Sequence, residues 1–193
     1  MAVQRVRLDD IPPTRWENGG GLTRQLLAWP DPAQWMLRVS VAEVIAAGPF
    51  SVYSGVDRWF AVLDGDGVVL RTAGAAAPVT LSAHHALHRF SGDQATHCDL
   101  VGGATRDFNV MARREQVNAR VTDLGAQGAL VSRDAMLGCF VRDQATLKIS
   151  GGSSLQLPAM SLAWMNNPGA KELRLEAEMP LPRGWWITAQ PKA

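Results

Sequence analysis

Glycine and proline punctuate this sequence from end to end: 18 Gly and 11 Pro fall among 193 residues, and the runs between them are short and rich in Val, Leu, Trp and Thr. Both residues interrupt helices, whereas β-branched and aromatic side chains pack well on a pleated surface, so such runs read as strands. No segment carries an apolar helical stripe with capping residues at its ends. The fold class predicted is therefore all-β. Candidate strands are Leu22–Trp29, Trp35–Val44, Trp59–Asp64, Gly67–Thr72, Val79–Ser82, Leu87–Phe90, His97–Val101 and Phe108–Arg113, then Ala129–Arg133, Cys139–Val141, Ala145–Ile149, Ser154–Leu157, Ser161–Met165 and Lys171–Ala177. Asp64-Gly65-Asp66-Gly67 marks a tight hairpin, because Gly and Asp tolerate the positive φ such turns need.

The order of these runs repeats. FAVLDGDGVVL followed by PVTLSAHHALHRFSG is echoed by CFVRDQATLKIS followed by SSLQLPAMSLAWMNNPG, each half reading strand, turn, strand, turn, strand, strand. Two such antiparallel halves suit a pair of jelly-roll-like β-barrels in one chain, where closure and sheet packing remove exposed edges. The expected division is residues 1–115, an N-terminal barrel holding the ligand pocket and nearly all the unusual polar residues, and residues 116–193, a filled, structural barrel.

A chain of 193 residues buries a hydrophobic core without disulfide or metal staples. Its 19 Lys+Arg against 18 Asp+Glu leave a formal charge of +1, so no basic footprint marks a nucleic-acid or membrane-surface partner, and the expected ligand is small. Cys98 and Cys139 lie far apart with no CxxC spacing and read as buried thiols in a reducing compartment. Arg5, Arg7 and Asp9 break any apolar leader, and Glu43, Gly48, Pro49 and Ser51 break the longest weakly charged stretch. The expected localisation is cytoplasmic.

Three boxes could carry binding chemistry. In WENGGGLTRQ (residues 16–25) consecutive glycines uncover backbone amides that favour an anion, and Arg24 adds a fork for a carboxylate. The plainer reading is a bulged lead-in to a strand, with Arg24 in a surface ion pair. In FSVYSGVDRWF (residues 50–60) Asp57 and Arg58 are adjacent on a strand and point to opposite faces, so one of them is structural unless a bulge intervenes. In DFNVMARR (residues 107–114) Asp107, Asn109 and Met111 share one face, which either meets water or lines a polar barrel interior. The histidines do not make a metal site of the HxH kind: in HHALH, His84 and His88 share a strand face but stand roughly 13 Å apart. No nucleophile arrangement emerges, since His97 and Cys98 are neighbours pointing to opposite faces.

In order and spacing, WENGGGLTRQ, FSVYSGVDRWFAVLDGDG, HRFSGD and DFNVMARR resemble the signature of the HutD/Ves family of bacterial proteins, over residues 10–115. Farther along, the likeness is one of pattern. The resemblance implies a bicupin, two β-barrels in one chain, encoded with histidine-utilisation enzymes. It further implies binding of a pathway intermediate such as formylglutamate or a related acid in regulation of that pathway, with a stress-associated Ves branch. It marks Trp16, Asn18, Gly19, Gly20, Thr23 and Arg24, then Phe50, Gly55, Asp57 and Arg58, then Gly92, Asp93, Asp107 and Asn109. The chain departs from the metal-ligand pattern of cupins.

The resulting expectation is a non-catalytic module that binds a small carboxylate metabolite with no cofactor and no metal. Its ligand-binding residues are Trp16, Asn18, Gly19, Gly20, Thr23, Arg24, Phe50, Asp57, Arg58, Asp107 and Asn109. A homodimer is left open. The alternative is a cupin enzyme, metal-dependent through His84, His88 and His97 or acid–base through Asp107 and Asp57.

Overall fold

A computed structural model of the chain describes residues 3–125, 128–150, 152–167, 172–178 and 182–193. Up to residue 115 the strands are β1 (Gln4–Arg7), β2 (Thr14–Arg15), β3 (Gly21–Trp29), β4 (Leu37–Val44), β5 (Gly48–Phe50), β6 (Val56–Asp64), β7 (Val68–Thr72), β8 (Val79–Leu81), β9 (His88–Ser91), β10 (Thr96–Leu100) and β11 (Thr105–Arg113). After it come β12 (Val117–Asp123), β13 (Ala129–Ser132), β14 (Met136–Val141), β15 (Ala145–Ile149), β16 (Ser153–Leu157), β17 (Ser161–Asn166), β18 (Leu173–Ala177) and β19 (Gly184–Pro191). The fold is all-β: among the described residues the one helical element is a 3-10 turn at Leu8–Asp10. None of their helices is long and apolar enough to cross a membrane. Lys171, the first residue of the last strand expected from sequence, lies outside the described residues.

The chain divides into two compact units, Pro12–Glu115 and the union of Met1–Ile11 with Gln116–Ala193. The first unit sets a six-stranded sheet, β2-β3-β4-β11-β6-β9, over a four-stranded sheet, β5-β10-β7-β8. The second sets β1-β17-β14-β19-β12 over β13-β18-β15-β16. The two orders match strand for strand, β4-β11-β6-β9 over β5-β10-β7-β8 against β12-β19-β14-β17 over β13-β18-β15-β16. The sequence echo falls within this repeat, since FAVLDGDGVVL spans β6, a turn and β7, and CFVRDQATLKIS spans β14, a turn and β15.

Two details depart from the sequence reading. The sheets stay open: their orders begin and end on different strands, so each unit is a two-layer sandwich rather than a closed barrel. Face-to-face packing supplies the core without closure, and very short strands such as β2 and β8 limit the exposed edges. The first eleven residues also leave the N-terminal unit. β1 pairs with β17 from Gln4↔Trp164 to Arg7↔Ser161, and the Leu8 amide donates to the Met160 carbonyl at 2.9 Å.

Each core is drawn from both layers. Val44, Phe60 and Val62 meet Phe50, Val68, Leu70, Leu81 and Cys98 in the first unit. In the second, Leu137, Cys139, Ala163, Met165 and Trp186 meet Leu147, Leu157 and Ala177. Burying such side chains contributes about 1.5–3 kcal/mol each, which fixes the strand phase and hence which polar residues are carried inward. Both cysteines are free and buried, and burial pushes both thiols up, Cys98 to about 12.

Candidate functional site

A cleft of about 680 Å³ opens on the inner face of the six-stranded sheet of the Pro12–Glu115 unit. Its floor follows from strand register. Met111 on β11 is paired with Arg38 on β4 and with Arg58 on β6, so two arginines flank one methionine on a single rung. The next rung sets Ser40, Asn109 and Phe60 side by side, with Gln25 of β3 continuing it beyond Ser40. On the rung after that stand Ala42, Asp107 and Val62, with Thr23 beside Ala42. Alternation on four adjacent strands thus converts one-dimensional spacing into a polar patch ringed by Phe50, Phe60 and Trp16.

The rim is the turn that carries the glycine run. Trp16 Nε1 donates to Thr23 Oγ1 at 2.7 Å, and the Trp16 ring stands edge-on to Phe50 with centroids 6.3 Å apart. Gly21 is where glycine is required: a Cβ there would lie 2.5 Å from the Glu43 carbonyl and 3.1 Å from the Trp16 ring. Gly19, at φ +71°, donates to the Trp16 carbonyl, and the Gly20 amide is taken by Asn18 Oδ1 at 3.0 Å. These amides shape the turn and are spent within it, so the glycines do not form the anion nest expected from sequence.

Phase also sorts the charged residues. Thr23 and Gln25 face the cleft, so Arg24 between them faces away and pairs with Glu43. Arg24 is therefore not the arginine that meets the cleft. Arg58 is, while Asp57 on the opposite face belongs to an ion-pair clasp. Arg114 reaches Asp57 at 3.1 Å, Asp93 at 2.6 Å and the Val56 carbonyl at 3.1 Å, and Arg89 holds the other Asp57 oxygen at 2.7 Å. Burial pushes the Asp57 carboxyl up, but hydrogen bonds from Arg89 and Arg114 outweigh it and hold the group below its ordinary value. Ser91, the Gly55 amide and Arg114 together hold Asp93 well below the usual carboxylate range. Gly92 completes the clasp, because a Cβ there would lie 2.8 Å from the Tyr53 carbonyl. Gly55, Asp57, Gly92 and Asp93 thus pin the start of β6, and through it the direction of Arg58.

Arg58 is 8% exposed, and burial pulls its guanidinium down to about 10. Among the described residues neither Arg58 nor Arg38 has a carboxylate partner within ion-pair distance, and the buried Nε of each lacks a hydrogen-bond partner. The acid in the cleft lining is Glu17, exposed on the rim. Asp107 does not line the cleft; it is 0% exposed, beside Ala42 of the cleft floor. Thr105 Oγ1 donates to its Oδ2 at 2.8 Å, its Oδ1 has no partner, and burial pushes the carboxyl up to about 7.

Of the residues singled out from sequence, the cleft gathers Trp16, Asn18, Thr23, Phe50, Arg58 and Asn109, and leaves outside it Gly19, Gly20, Arg24, Asp57 and Asp107. It adds Gln25, Arg38, Ser40, Tyr53 and Met111. The signal for Arg38 and Ser40 was their alternation with Ala42 and Val44 along β4. The histidines are spread out: His85 Nδ1 bonds Ser82 Oγ at 2.9 Å, His88 stacks on Phe90, and His97 lies 3.4 Å from Asp99. Among the described residues no group of three His, Cys, Asp or Glu side chains is placed to hold a metal ion.

The HutD family model matches residues 8–181. The chain belongs to the HutD family. A relative described as an uncharacterized 21.2 kDa protein in the hutC 3' region of Pseudomonas putida is 34% identical over 123 residues, 62% of this chain and 63% of that one. Protein Ves of Cronobacter sakazakii is 35% identical over 112 residues, 58% of this chain and 61% of that one. The match thus spans less than two thirds of the length of either relative. Among solved structures, the conserved protein PA5104 of Pseudomonas aeruginosa PAO1 is similar over 100% of both chains, at TM-score 0.84 and 29% identity. HutD from Pseudomonas fluorescens SBW25 has the same fold, at TM-score 0.84 and 24% identity over 100% of both chains. Bacillus subtilis oxalate decarboxylase OxdC, in a mutant form, shares the fold at TM-score 0.64 and 8% identity, covering 98% of this chain and 78% of that one. The all-β fold of this chain is thus shared by these solved structures.

Proposed function

We propose that the cleft of the Pro12–Glu115 unit binds a small amino-acid-derived carboxylate, formylglutamate or a related histidine-degradation intermediate, without a metal, and that this cytoplasmic protein modulates histidine utilisation by binding it. The two sandwiches are then the two jelly rolls of a bicupin, one binding and one structural. The observation that carries the reading is Arg58: a guanidinium 8% exposed on the cleft floor with no carboxylate partner among the described residues. Leaving a buried cation unpaired costs several kcal/mol, and an anionic ligand removes that cost. Arg38 on the same rung adds a second guanidinium to the floor, with Arg15 a third in the cleft lining, while Asn109, Ser40, Thr23 and Gln25 offer donors and acceptors to the rest of the molecule. The relative in the hutC 3' region supports the choice of acid.

A thermal-shift titration tests it, because a ligand of the folded state raises the midpoint by mass action. Formylglutamate is expected to raise the melting temperature of the wild type and not of Arg58→Ala. If formylglutamate, urocanate, glutamate and formate all leave the wild-type midpoint unmoved, the reading falls. An acid–base enzyme is the second reading, and Asp107, held up to about 7 next to the cleft floor, is the observation in its favour. Conversion of any of these acids by the wild type and not by Asp107→Asn, followed by NMR, would replace binding by catalysis.

A further inference from the structure

Arginines of the Pro12–Glu115 unit are held by carboxylates, by aromatic rings or, for Arg89, by both, and Arg113 also lies over a ring, that of Trp35. Arg24, Arg71, Arg89, Arg106 and Arg114 each pair with a carboxylate. Arg58 and Arg38, the two on the cleft floor, rest against aromatic rings instead. Arg58 Cζ lies 4.9 Å from the centroid of Phe90 and 5.1 Å from that of Phe50, and Arg38 Cζ lies 5.2 Å from that of Trp35. The difference has a chemical meaning. A carboxylate restrains a guanidinium by occupying its in-plane N–H donors and cancelling its charge. An aromatic ring restrains it through its flat face and leaves both available.

Phe90 is well placed for this. It is the direct cross-strand partner of Arg58, on the edge strand β9, and it is not among the residues that line the cleft. His88, two residues earlier on the same strand, stacks on it at 5.7 Å and 18°. From the other side, Trp16 stands edge-on to Phe50. The guanidinium is thus one member of a column running Trp16, Phe50, Arg58, Phe90, His88. The HRFSGD box contributes Phe90 to this column in addition to the Ser91 and Asp93 that build the clasp.

We infer that Phe90 is a positioning residue: pressed against Arg58 from β9, it fixes the guanidinium in the orientation that receives a carboxylate, without touching the ligand itself. The inference rests on the anion-binding reading above and adds to it the element that gives the site its rigidity. A flexible arginine would have to be ordered on binding, whereas one already held against two rings is pre-organised. It also follows that aromaticity at position 90, rather than bulk, is what matters.

The test compares Phe90→Leu, which keeps apolar volume, with Phe90→Tyr, which keeps the ring, in the full-length protein. In calorimetric titration with formylglutamate, Phe90→Leu is expected to weaken binding about tenfold and Phe90→Tyr to stay within about twofold of wild type. A readout without ligand is the NMR signal of the Arg58 Nε–H, assigned by its loss in Arg58→Lys. In wild type and Phe90→Tyr it is expected to be ring-shifted and rigid, and in Phe90→Leu to move towards the position of a free arginine and lose order. Equal affinity and an unchanged Arg58 signal in Phe90→Leu would overturn the inference. Should formylglutamate not bind the wild type at all, the proposed ligand class falls, and the Arg58 signal alone then decides the role of Phe90.

Discussion

The inner faces of β11 and β6 in the first sandwich carry Asn109, Met111, Arg58 and Phe60, whereas their counterparts β19 and β14 in the second carry Trp186, Thr188, Leu137 and Cys139. Strand order is the same, and the filling is not. In the second unit Trp186, 1% exposed, packs with Leu137, Leu147, Leu157 and Met165 into an apolar centre. In the first, two arginines and an asparagine take comparable inward positions, and a cleft opens where an apolar core would close. A repeated architecture therefore says little about activity; the residues set on its inner rungs decide whether a sandwich is packed or receptive.

The largest expected effect bears on the filled sandwich. Trp186→Ala removes its biggest buried side chain and should cost about 3–5 kcal/mol in denaturant unfolding, while the protein that remains folded keeps its anion-dependent thermal shift. Loss of that shift would mean that the filled unit takes part in binding. Next comes Asp107, whose proton-holding form is favoured by burial from its ordinary 3.8 up to about 7. Between those values the folded protein retains a proton that the unfolded chain has released. Stability conferred by this group is thus complete below pH 4, declines as pH rises to about 7, and is then constant. Asp107→Asn should flatten that slope and be the more stable protein above pH 7, by up to about 4 kcal/mol. Identical unfolding curves for the two across pH 4–8 would count against a protonated Asp107.

A smaller effect is expected at Arg58, where function and stability oppose each other. Arg58→Met replaces an unpaired buried cation by an apolar chain and should stabilise the ligand-free protein by about 1–3 kcal/mol while abolishing the anion-dependent shift. A destabilised variant would show that the contacts of Arg58 with Phe50 and Phe90 outweigh the cost of the unpaired charge. The smallest concerns Arg24. Its ion pair with Glu43 is partly exposed and away from the cleft, so Arg24→Ala should cost about 1 kcal/mol and leave anion affinity unchanged, which calorimetry would check.

Much of this was legible in the sequence, and the omissions have physical causes. The Gly and Pro punctuation gave the all-β class, and the echo of FAVLDGDGVVL in CFVRDQATLKIS anticipated the duplicated strand order. Alternation in DFNVMARR placed Asp107, Asn109 and Met111 on one face, and only the neighbouring strands show that this face points inward. The same rule separated Asp57 from Arg58, and applied to Thr23, Arg24 and Gln25 it would have turned Arg24 away from the cleft. Chemical appeal outweighed strand phase at that point. Arg38 and Ser40 sit on an expected strand, in phase with Ala42 and Val44, but an arginine between apolar residues reads as a solvated face until the neighbouring strands are known. The strands β12 and β19 escaped notice because Asn118, Arg120 and Asp123 interrupt the first and a run of two tryptophans obscures alternation in the second. They pair with each other from Val117↔Pro191 to Asp123↔Trp185, a partnership made across more of the chain than any local signal covers.

The pairing of β1 with β17 makes the Pro12–Glu115 unit an insertion within the other. Arg5 finds the Gln156 carbonyl 151 residues further along, so β1 leaves the ribosome long before its neighbour exists. The inserted unit has all of its strands by residue 113 and can complete its pairings while β1 still waits. Closure of the second sandwich is then the non-local, slower event, and the edge offered by β17 stays open until β1 returns to cover it.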